Sequence, residues 1–466
     1  MFLSFFKKLA KPIFGNFETE EFKKFLRMGA LFAFIIGVYW TLSQLKTAIF
    51  CSLIGASQIP WAKTISFICL IPIVLLYTKL LEKFAREKVF YLLAGIYGVC
   101  SVFFGILLFT GHIAQSECLL SLSGSAFANI SSTLLVYAFY IFSESFGALF
   151  PALFWAIAAD TTQPESAKKG FSLIVAIGQL GGIAGPYFIS SLPLRLGFET
   201  SALSLFICAA SIFYLIFLLK RFFISTPPDL LVSFHGKNES REEKKQEMGF
   251  FEGLYLLLRH SYLLGIFAVI AFPDFLSTIF DVHFNSLAAQ HYSGVELAEF
   301  LGIYGSSVNL IALIFLLCGI GNIARFFGVA IALLLMPVIY AAATLGFVTL
   351  NSLSFLFALM ASSKAINYSL NSPAVKQLYI PTTHDVRFKS QAWIDAFGSR
   401  GAKQSGSLFN MTLTPMQKNL GEVAGRARHA LWASYLGFGI IACWFFIAFY
   451  LGRTHKKAID EKRVVC

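Results

Sequence analysis

The sequence predicts an all-α integral membrane protein with twelve membrane-spanning helices in two groups of six. Of the 466 residues, 57% are hydrophobic and only 13% are charged, a composition that is not typical of soluble domains of this size. Apolar runs of 18 or more residues recur along the chain, each long enough to cross a hydrocarbon core of about 30 Å as a helix. A polar, charge-dense stretch at 226–247 separates the sixth run from the seventh.

The apolar runs define the twelve spans in order. They are 28–50, 58–80, 89–110, 129–158, 170–192, 200–222, 261–285, 297–320, 326–349, 353–379, 389–414 and 430–452. The corresponding domains are an N-terminal segment 1–27, a first six-helix half 28–222, a linker 223–260, a second half 261–452 and a tail 453–466.

The basic residues predict the orientation. Lys and Arg cluster before the first span, in alternate loops, in the linker and in the tail, whereas residues 111–128, 286–296 and 350–352 contain none. Basic loops stay on the cytoplasmic side, so both termini are expected there. The net charge of +12 then has an ordinary explanation in cytoplasmic loops that face anionic lipid. The N-terminal stretch lacks a convincing cleavage site or a transit-like composition, which favours a bacterial inner membrane.

Several classes of function are not indicated. The eight cysteines lie mostly inside spans without CxxC spacing, so we expect neither a metal site nor a disulfide framework. The GxxxxGK[ST] and HExxH motifs are absent, and no covalent chemistry is implied. We therefore expect a protein that is not an enzyme, has no cofactor and does not bind nucleic acid.

Ionisable side chains within the predicted spans are the most informative feature. Each costs at least about 2.5–3.5 kcal/mol at the centre of a membrane helix, so it normally faces a bundle interior or water. They are Lys46, Glu144, Asp274, Asp281, Lys364, Lys376, Asp395, Arg400 and Lys403.

Helical spacing places some of these groups on common faces. In the fourth span Tyr137, Tyr140 and Glu144 are three and four residues apart, so two phenol rings and a carboxylate share one stripe. Arg400 and Lys403 share a stripe of the eleventh span in the same way. The pattern predicts one shared polar cavity.

The acidic positions extend this pattern. Asp274 and Asp281 are seven residues apart and align on the seventh span, and Asp395 lies on a stripe next to the Arg400 stripe. Lys and Arg distributed over both halves favour an anion, and tyrosine rings are able to stack on a planar base. An organic phosphate fits both features.

Structural interpretations compete with the functional one. Lys46 and Lys376 are each close enough to a span end to snorkel. Asp274 follows a proline and is a candidate helix cap. The tyrosine pair is also explained by packing alone, and Lys364 by a structural ion pair.

Two further motifs suggest helix mobility and a broken helix. GQLGGIAGP, residues 178–186, holds two pairs of glycines four apart and predicts close helix approach followed by a kink at Pro186. NYSLNSPAVKQLYIP, residues 367–381, interrupts an apolar span with polar residues and two prolines. It is expected to be a broken half-helix, limited by Pro373 and Pro381, that lines a wet cavity. An ordinary helix end entering a loop is the competing interpretation.

Several stretches together resemble one family, the ATP/ADP translocases, or nucleotide transporters, of obligate intracellular bacteria and plastids. The similar stretches include YWTLSQLKTAIF (39–50), SESFGALFPALFWAIAADTT (143–162), GQLGGIAGP (178–186), NYSLNSPAVKQLYIP (367–381) and KSQAWIDAFGSRGAKQSGS (389–407). The similarity runs in order from about residue 20 to residue 450.

The resemblance implies a major-facilitator-like bundle that exchanges nucleotides, such as ATP for ADP. It places functional positions of the family on Lys46, Glu144, Asp281, Lys376 and Lys403. With the stripes above, the candidate substrate-binding residues are Lys46, Tyr137, Tyr140, Glu144, Asp281, Asn285, Lys376, Asp395, Arg400 and Lys403. Charged residues usual in the family are replaced here by Ser43, Gln44, Thr47, Asn285, Asn367 and Gln377. The Phe-Asp pair usual in the family is replaced by Asn371 and Ser372. These departures bear on substrate choice.

The predicted function is a secondary transporter in which a nucleotide or related organic phosphate is cargo rather than fuel. Exchange and proton-coupled import are both open, with Glu144 and Asp281 as candidate titrating acids. Two further hypotheses are a major-facilitator carrier for an unrelated solute and a membrane receptor or scaffold that does not transport.

Overall fold

The computed structural model describes residues 17–112, 126–231, 250–318, 327–349, 352–379, 381–383, 394, 398–461 and 463–465. All regular elements in these ranges are helical, which confirms the all-α class. The helices are α1 Thr19–Leu53, α2 Ile59–Lys83, α3 Arg86–Phe109, α4 Ala126–Asp160, α5 Pro164–Ala184, α6 Ser190–Arg195, α7 Ala202–Ser225, α8 Phe250–Arg259, α9 Ser261–His291, α10 Gly294–Leu317, α11 Val329–Thr349, α12 Leu353–Ile366, α13 Ser372–Leu378, α14 Ser399–Asn410, α15 Leu413–Leu420 and α16 Glu422–Asp460.

Ten helical segments in the described ranges are long and apolar enough to cross a membrane. They correspond to ten of the twelve predicted spans. The predicted tenth span is divided into α12, a π turn at Asn367–Asn371 and α13. Of the predicted eleventh span, residues 389–393 and 395–397 lie outside the described residues, and α14 forms most of the rest.

The chain forms two compact units. The first unit contains residues 1–240 and 288–313, and the second contains 241–287 and 314–466. Residues 288–313, which belong by chain order to the predicted second half, thus pack within the first unit. The domain boundaries drawn from the sequence stay a prediction.

Close packing of α1 against α5 organises the first unit. A Cβ atom on Gly181 would overlap the carbonyl oxygen of Ala33, and one on Gly185 would lie 2.6 Å from the carbonyl oxygen of Gly37. Only glycine permits these backbones to approach so closely, as the four-residue spacing predicts. At Pro186, where the sequence predicts a kink, the helix contains a π turn, Gly185–Ile189.

Basic side chains near the start of α1 bind the ends of other helices in the first unit. Arg27 donates to the carbonyl oxygen of Ser225, the last residue of α7, at 2.6 Å. The buried Lys24 donates to the carbonyl oxygens of Thr161, just beyond α4, and of Leu230 at 2.8 Å. Helix C-terminal carbonyls lack intrahelical partners, so these cations cap them. Lys24 is therefore a buried structural cation rather than a group facing lipid.

The second unit has an aromatic core between α11 and α16. The Trp444 and Tyr340 rings are 5.4 Å apart and both are fully buried. The Tyr340 hydroxyl shares a hydrogen bond of 2.8 Å with the Ser277 hydroxyl on α9. This core fixes the polar face of α9 against α11.

The stretch at 367–381 differs from its predicted form. The chain stays helical from Leu353 to Leu378, with a π turn in place of a break. Pro373 is near the start of α13 and does not limit the helix, because the i→i+5 bonding of a π turn accommodates the missing proline N–H. The helix ends at Leu378, three residues before Pro381.

Candidate functional site

The first unit joins two of the predicted site residues in an ion pair. Lys46 on α1 contacts the carboxylate of Glu144 on α4. The Lys46 side chain is 9% exposed and that of Glu144 is 34% exposed. An ammonium group so enclosed is costly unless a carboxylate neutralises it. Snorkelling therefore does not describe Lys46, which points to Glu144 within the unit.

One of the two predicted tyrosines contacts this pair. The Lys46 ammonium lies over the Tyr140 ring, 4.9 Å from its centroid, within the range of a cation–π contact. Tyr137 and Tyr140 both pack edge-on against Phe50, with centroids 5.3 and 5.4 Å away. Tyr140 is buried and Tyr137 is half-buried. Tyr140 thus both packs against Phe50 and contacts the lysine.

The second unit contains a corresponding pair. Lys364 on α12 donates to the carboxylate of Asp281 on α9, with Nζ and Oδ1 2.8 Å apart. The two side chains are 23% and 21% exposed. The ion pair anticipated as one interpretation of Lys364 is present, and its partner is a predicted site residue.

Asp274 holds a further basic group in the second unit. The Ser399 hydroxyl donates to its carboxylate, and the Lys403 Nζ lies 3.8 Å from the other carboxylate oxygen. Helix α9 is continuous through Pro273, so Asp274 is inside a helix and the capping interpretation was wrong. Asp274 and Asp281 share one face of α9, and each of them faces one lysine that belongs to another helix.

These groups adjoin a polar cavity of about 230 Å³ in the second unit. Its lining residues come from α9, the π turn, α13 and α14. They are Ile270, Asp274, Asn367, Tyr368, Asn371, Val375, Lys376, Tyr379, Ser399 and Lys403. Lys376 and Lys403 are both exposed, so neither lysine is confined by packing. Two lysines against one aspartate give the cavity wall a net positive charge, which suits an anion.

The structure does not bring every predicted residue to this cavity. Arg400 is exposed at the start of α14, and Asn285 is half-buried one turn beyond Asp281. Neither belongs to the cavity lining found in the described part of the chain. Asp395 lies outside the described residues.

Several lining residues were absent from the predicted set. They are Asp274, Asn367, Tyr368, Asn371, Tyr379 and Ser399. For the two asparagines the sequence signal is their spacing, since Asn367 and Asn371 are four residues apart. In the structure the Asn371 Nδ2 donates to the Asn367 Oδ1 at 2.9 Å. Ser399 shares the stripe of Asp395, four residues before it, whereas for Tyr379 the sequence alone contains no comparable pattern.

A family model described as TLC ATP/ADP transporter matches residues 3–455. The chain belongs to the TLC ATP/ADP transporter family. Among its relatives is ADP,ATP carrier protein 4 of Rickettsia bellii, 23% identical over 95% of this chain and 92% of that protein. ADP,ATP carrier protein 1 of Rickettsia prowazekii is also 23% identical, over 99% and 98% of the two chains. The resemblance drawn from the motifs is thereby confirmed.

Solved structures support the fold of this TLC family member. The nucleoside transporter NupG superimposes with a TM-score of 0.60 at 14% identity, over 91% of this chain and 98% of that one. A bacterial homologue of the human lysosomal transporter Spinster, inward-facing and unoccupied, also gives 0.60, at 13% identity over 95% and 99%. The architecture is major-facilitator-like, as the resemblance implied.

Proposed function

We propose that this protein is a secondary transporter that moves a nucleotide across a membrane by alternating access. The observation that carries the proposal is the pairing of lysines with carboxylates inside membrane helices, with Lys46 and Glu144 as its most enclosed example. Membership of the TLC ATP/ADP transporter family and the ADP,ATP carrier names of the relatives support the nucleotide as cargo.

The ion pairs suit an anionic passenger. In the empty carrier each carboxylate neutralises a lysine that would otherwise be costly within a membrane helix. A phosphate group competes for the same ammonium, because lysine binds phosphate as a point charge. The proposed phosphate contacts are Lys46, Lys376 and Lys403. When no phosphate is bound, Glu144 holds Lys46 and Asp274 holds Lys403.

The experiment uses the purified protein in proteoliposomes. Labelled ATP uptake is measured into vesicles that are preloaded with ADP or left empty, each with and without an imposed pH gradient. Exchange predicts uptake into preloaded vesicles at either pH condition and little into empty ones. Competition by nucleotides, NAD, inorganic phosphate, a sugar and a peptide defines the solute class. Absence of ATP uptake, together with no competition by any nucleotide, overturns the proposal.

Proton-coupled import is the second candidate, because Glu144 and Asp281 are carboxylates enclosed in membrane helices. A carboxylate released from its lysine by a phosphate is able to take up a proton. Uptake into empty vesicles that depends wholly on the pH gradient favours this mechanism over exchange.

The proposed location is a bacterial inner membrane with both termini in the cytoplasm. The distribution of Lys and Arg in the loops supports this orientation, and the relatives from Rickettsia support a bacterial membrane. Accessibility of single cysteines introduced into the loops at 111–112 and 84–85 to a membrane-impermeant thiol reagent, in a background without native cysteines, tests it. The first position is expected to react from outside intact cells.

A further inference from the structure

The lining of the second-unit cavity divides into buried side chains, which we call its enclosed end, and exposed side chains, which we call its open end. Asn371, Val375 and Tyr379 are almost completely buried, whereas Tyr368, Lys376 and Lys403 are exposed. A ligand that enters this cavity therefore meets an amide, an aliphatic group and a phenol ring at the enclosed end. Its charged part remains near the lysines.

The size of the cavity limits what it holds. Ligand pockets commonly measure about 300–1,000 Å³, and this cavity measures about 230 Å³. It is suited to one part of a nucleotide rather than to the whole molecule. The Tyr379 ring at its enclosed end provides an aromatic contact for a planar base, and the lysines at its open end suit the phosphates.

Asn371 has an acceptor that other described residues do not use. The residue is 3% exposed, and its Oδ1 accepts no hydrogen bond from any described residue. Its Nδ2 donates one hydrogen to Asn367 at 2.9 Å, so a second N–H also remains. Buried amide groups are normally satisfied. An orphaned acceptor at the enclosed end of a polar cavity indicates that the partner arrives with the ligand, after a small rotation of the amide.

We propose that the enclosed end of this cavity is a nucleobase subsite in which Asn371 selects a base with an exocyclic amino group, as in adenine. An asparagine amide matches an amino group and an adjacent ring nitrogen, since its oxygen accepts from the first and its N–H donates to the second. A keto base presents an acceptor where Oδ1 requires a donor. The hydrogen bond from Asn371 to Asn367 opposes rotation of the amide into the reverse orientation. This inference rests on the proposed nucleotide transport.

The test compares ATP with ITP, which carries a keto oxygen in place of the amino group. Proteoliposomes preloaded with ADP take up labelled ATP in the presence of increasing unlabelled ATP or ITP. For the wild-type protein we expect ATP to compete at a concentration about two- to tenfold lower than ITP, the contribution of one hydrogen bond. In Asn371→Ala and in the isosteric Asn371→Leu, the ratio falls to about one, through weaker competition by ATP.

Asn410→Ala is the matched control. Asn410 is also fully buried, donates through Nδ2 to the Thr278 carbonyl oxygen at 2.9 Å and has an Oδ1 without a partner in the described residues. It does not belong to the lining of this cavity. We expect Asn410→Ala to keep the wild-type ratio, so loss of a buried amide alone does not explain the effect.

The outcomes separate the two proposals. A wild-type ratio near one, or a ratio that both Asn371 variants leave unchanged, overturns the nucleobase subsite while nucleotide transport stands. Absence of any nucleotide uptake by the wild-type protein overturns the proposed function, and this inference with it. If the Asn371 variants bind nucleotides but do not transport them, the melting temperature is measured against ATP and ITP concentration. The ratio of the two concentrations that give half of the full shift then replaces the competition ratio.

Discussion

The first and second units each hold a lysine–carboxylate pair within membrane helices, but in opposite order along the chain. In the first unit the lysine is on the first span, at Lys46, and the acid is on the fourth, at Glu144. In the second unit the acid comes first, at Asp281 on the seventh span, and Lys364 follows on the tenth. The seventh and tenth spans are the first and fourth of the predicted second half.

The fold therefore specifies which two spans of a unit carry the ion pair, but not which span carries the lysine and which carries the acid. A helix at either place accepts a lysine or an acid, provided that the opposite charge faces it. The pairs also differ in enclosure, since the Lys46 side chain is 9% exposed and that of Lys364 is 23% exposed. Their contributions to transport should differ accordingly.

The largest expected effect is that of Lys46→Ala. The change removes a phosphate contact and leaves Glu144 without its lysine in a membrane helix. Loss of one partner of a buried pair costs about 3–5 kcal/mol, and partial exposure of Glu144 reduces this cost to about 2–3 kcal/mol. Taken as a loss of transition-state stabilisation, this cost predicts an initial rate of labelled ATP uptake that is about 30- to 160-fold lower.

Lys23→Ala on the same helix is the control for this prediction. Lys23 also pairs with an acid, Glu20, but both side chains are substantially exposed, and such surface pairs contribute little. Uptake by Lys23→Ala close to that of the wild type is expected. If the two variants behave alike, enclosure of the ion pair has no role in transport.

The next largest effect is expected for Lys364→Ala, about tenfold on the same uptake rate, because the Lys364 side chain is more exposed than that of Lys46 and is not among the proposed phosphate contacts. The exchange variant Asp281→Lys with Lys364→Asp gives the second unit the charge order of the first. It should recover at least about half of the lost rate, since the pair is restored. Glu461→Gln, which alters an exposed pair with Lys457, is the control for expression and reconstitution. An exchange variant as inactive as the single variant would show that the sign at each helix matters.

The smallest effect is expected for stability in Lys403→Ala. The Lys403 side chain is 56% exposed and its nitrogen is 3.8 Å from Asp274, which keeps the hydrogen bond from Ser399. Such an exposed pair contributes about 0–1 kcal/mol, so the melting temperature of the purified protein should hardly change. Its KM for ATP should still rise several-fold, because a phosphate contact at the cavity is lost. A large fall in melting temperature would instead assign Lys403 a structural role.

The sequence predicted the fold class and named both members of the first-unit pair for clear physical reasons, but it did not predict that they pair. Apolar runs of sufficient length report membrane helices directly, and the stripe containing Tyr140 and Glu144 places the carboxylate on a defined helical face. The identity of its partner followed only in part, since Lys46 was also compatible with snorkelling. The family resemblance named both residues as functional positions, and the structure joined them.

The second-unit cavity was less accessible to sequence reasoning. Arg400 and Lys403 share a stripe, yet only Lys403 lines the cavity, because α14 begins at Ser399 and leaves Arg400 in its first turn. Asp274 looked like a cap because a proline precedes it, whereas the helix continues through that proline. Arg400 stays a prediction as a substrate contact, whereas the misassigned cap at Asp274 arises from tertiary packing that local patterns do not encode.

The π turn at Asn367–Asn371 also sets the angular register of the residues that follow it. A π turn is in effect one extra residue inserted in an α-helix, and one residue corresponds to a rotation of about 100° around the helix axis. Removal of any one residue from the turn would therefore swing the side chains of α13 by that angle and carry Lys376 away from its present wall. Homologous chains that have a regular α-helix here should be one residue shorter at this point. A single-residue gap in an alignment would therefore identify carriers that lack this cavity.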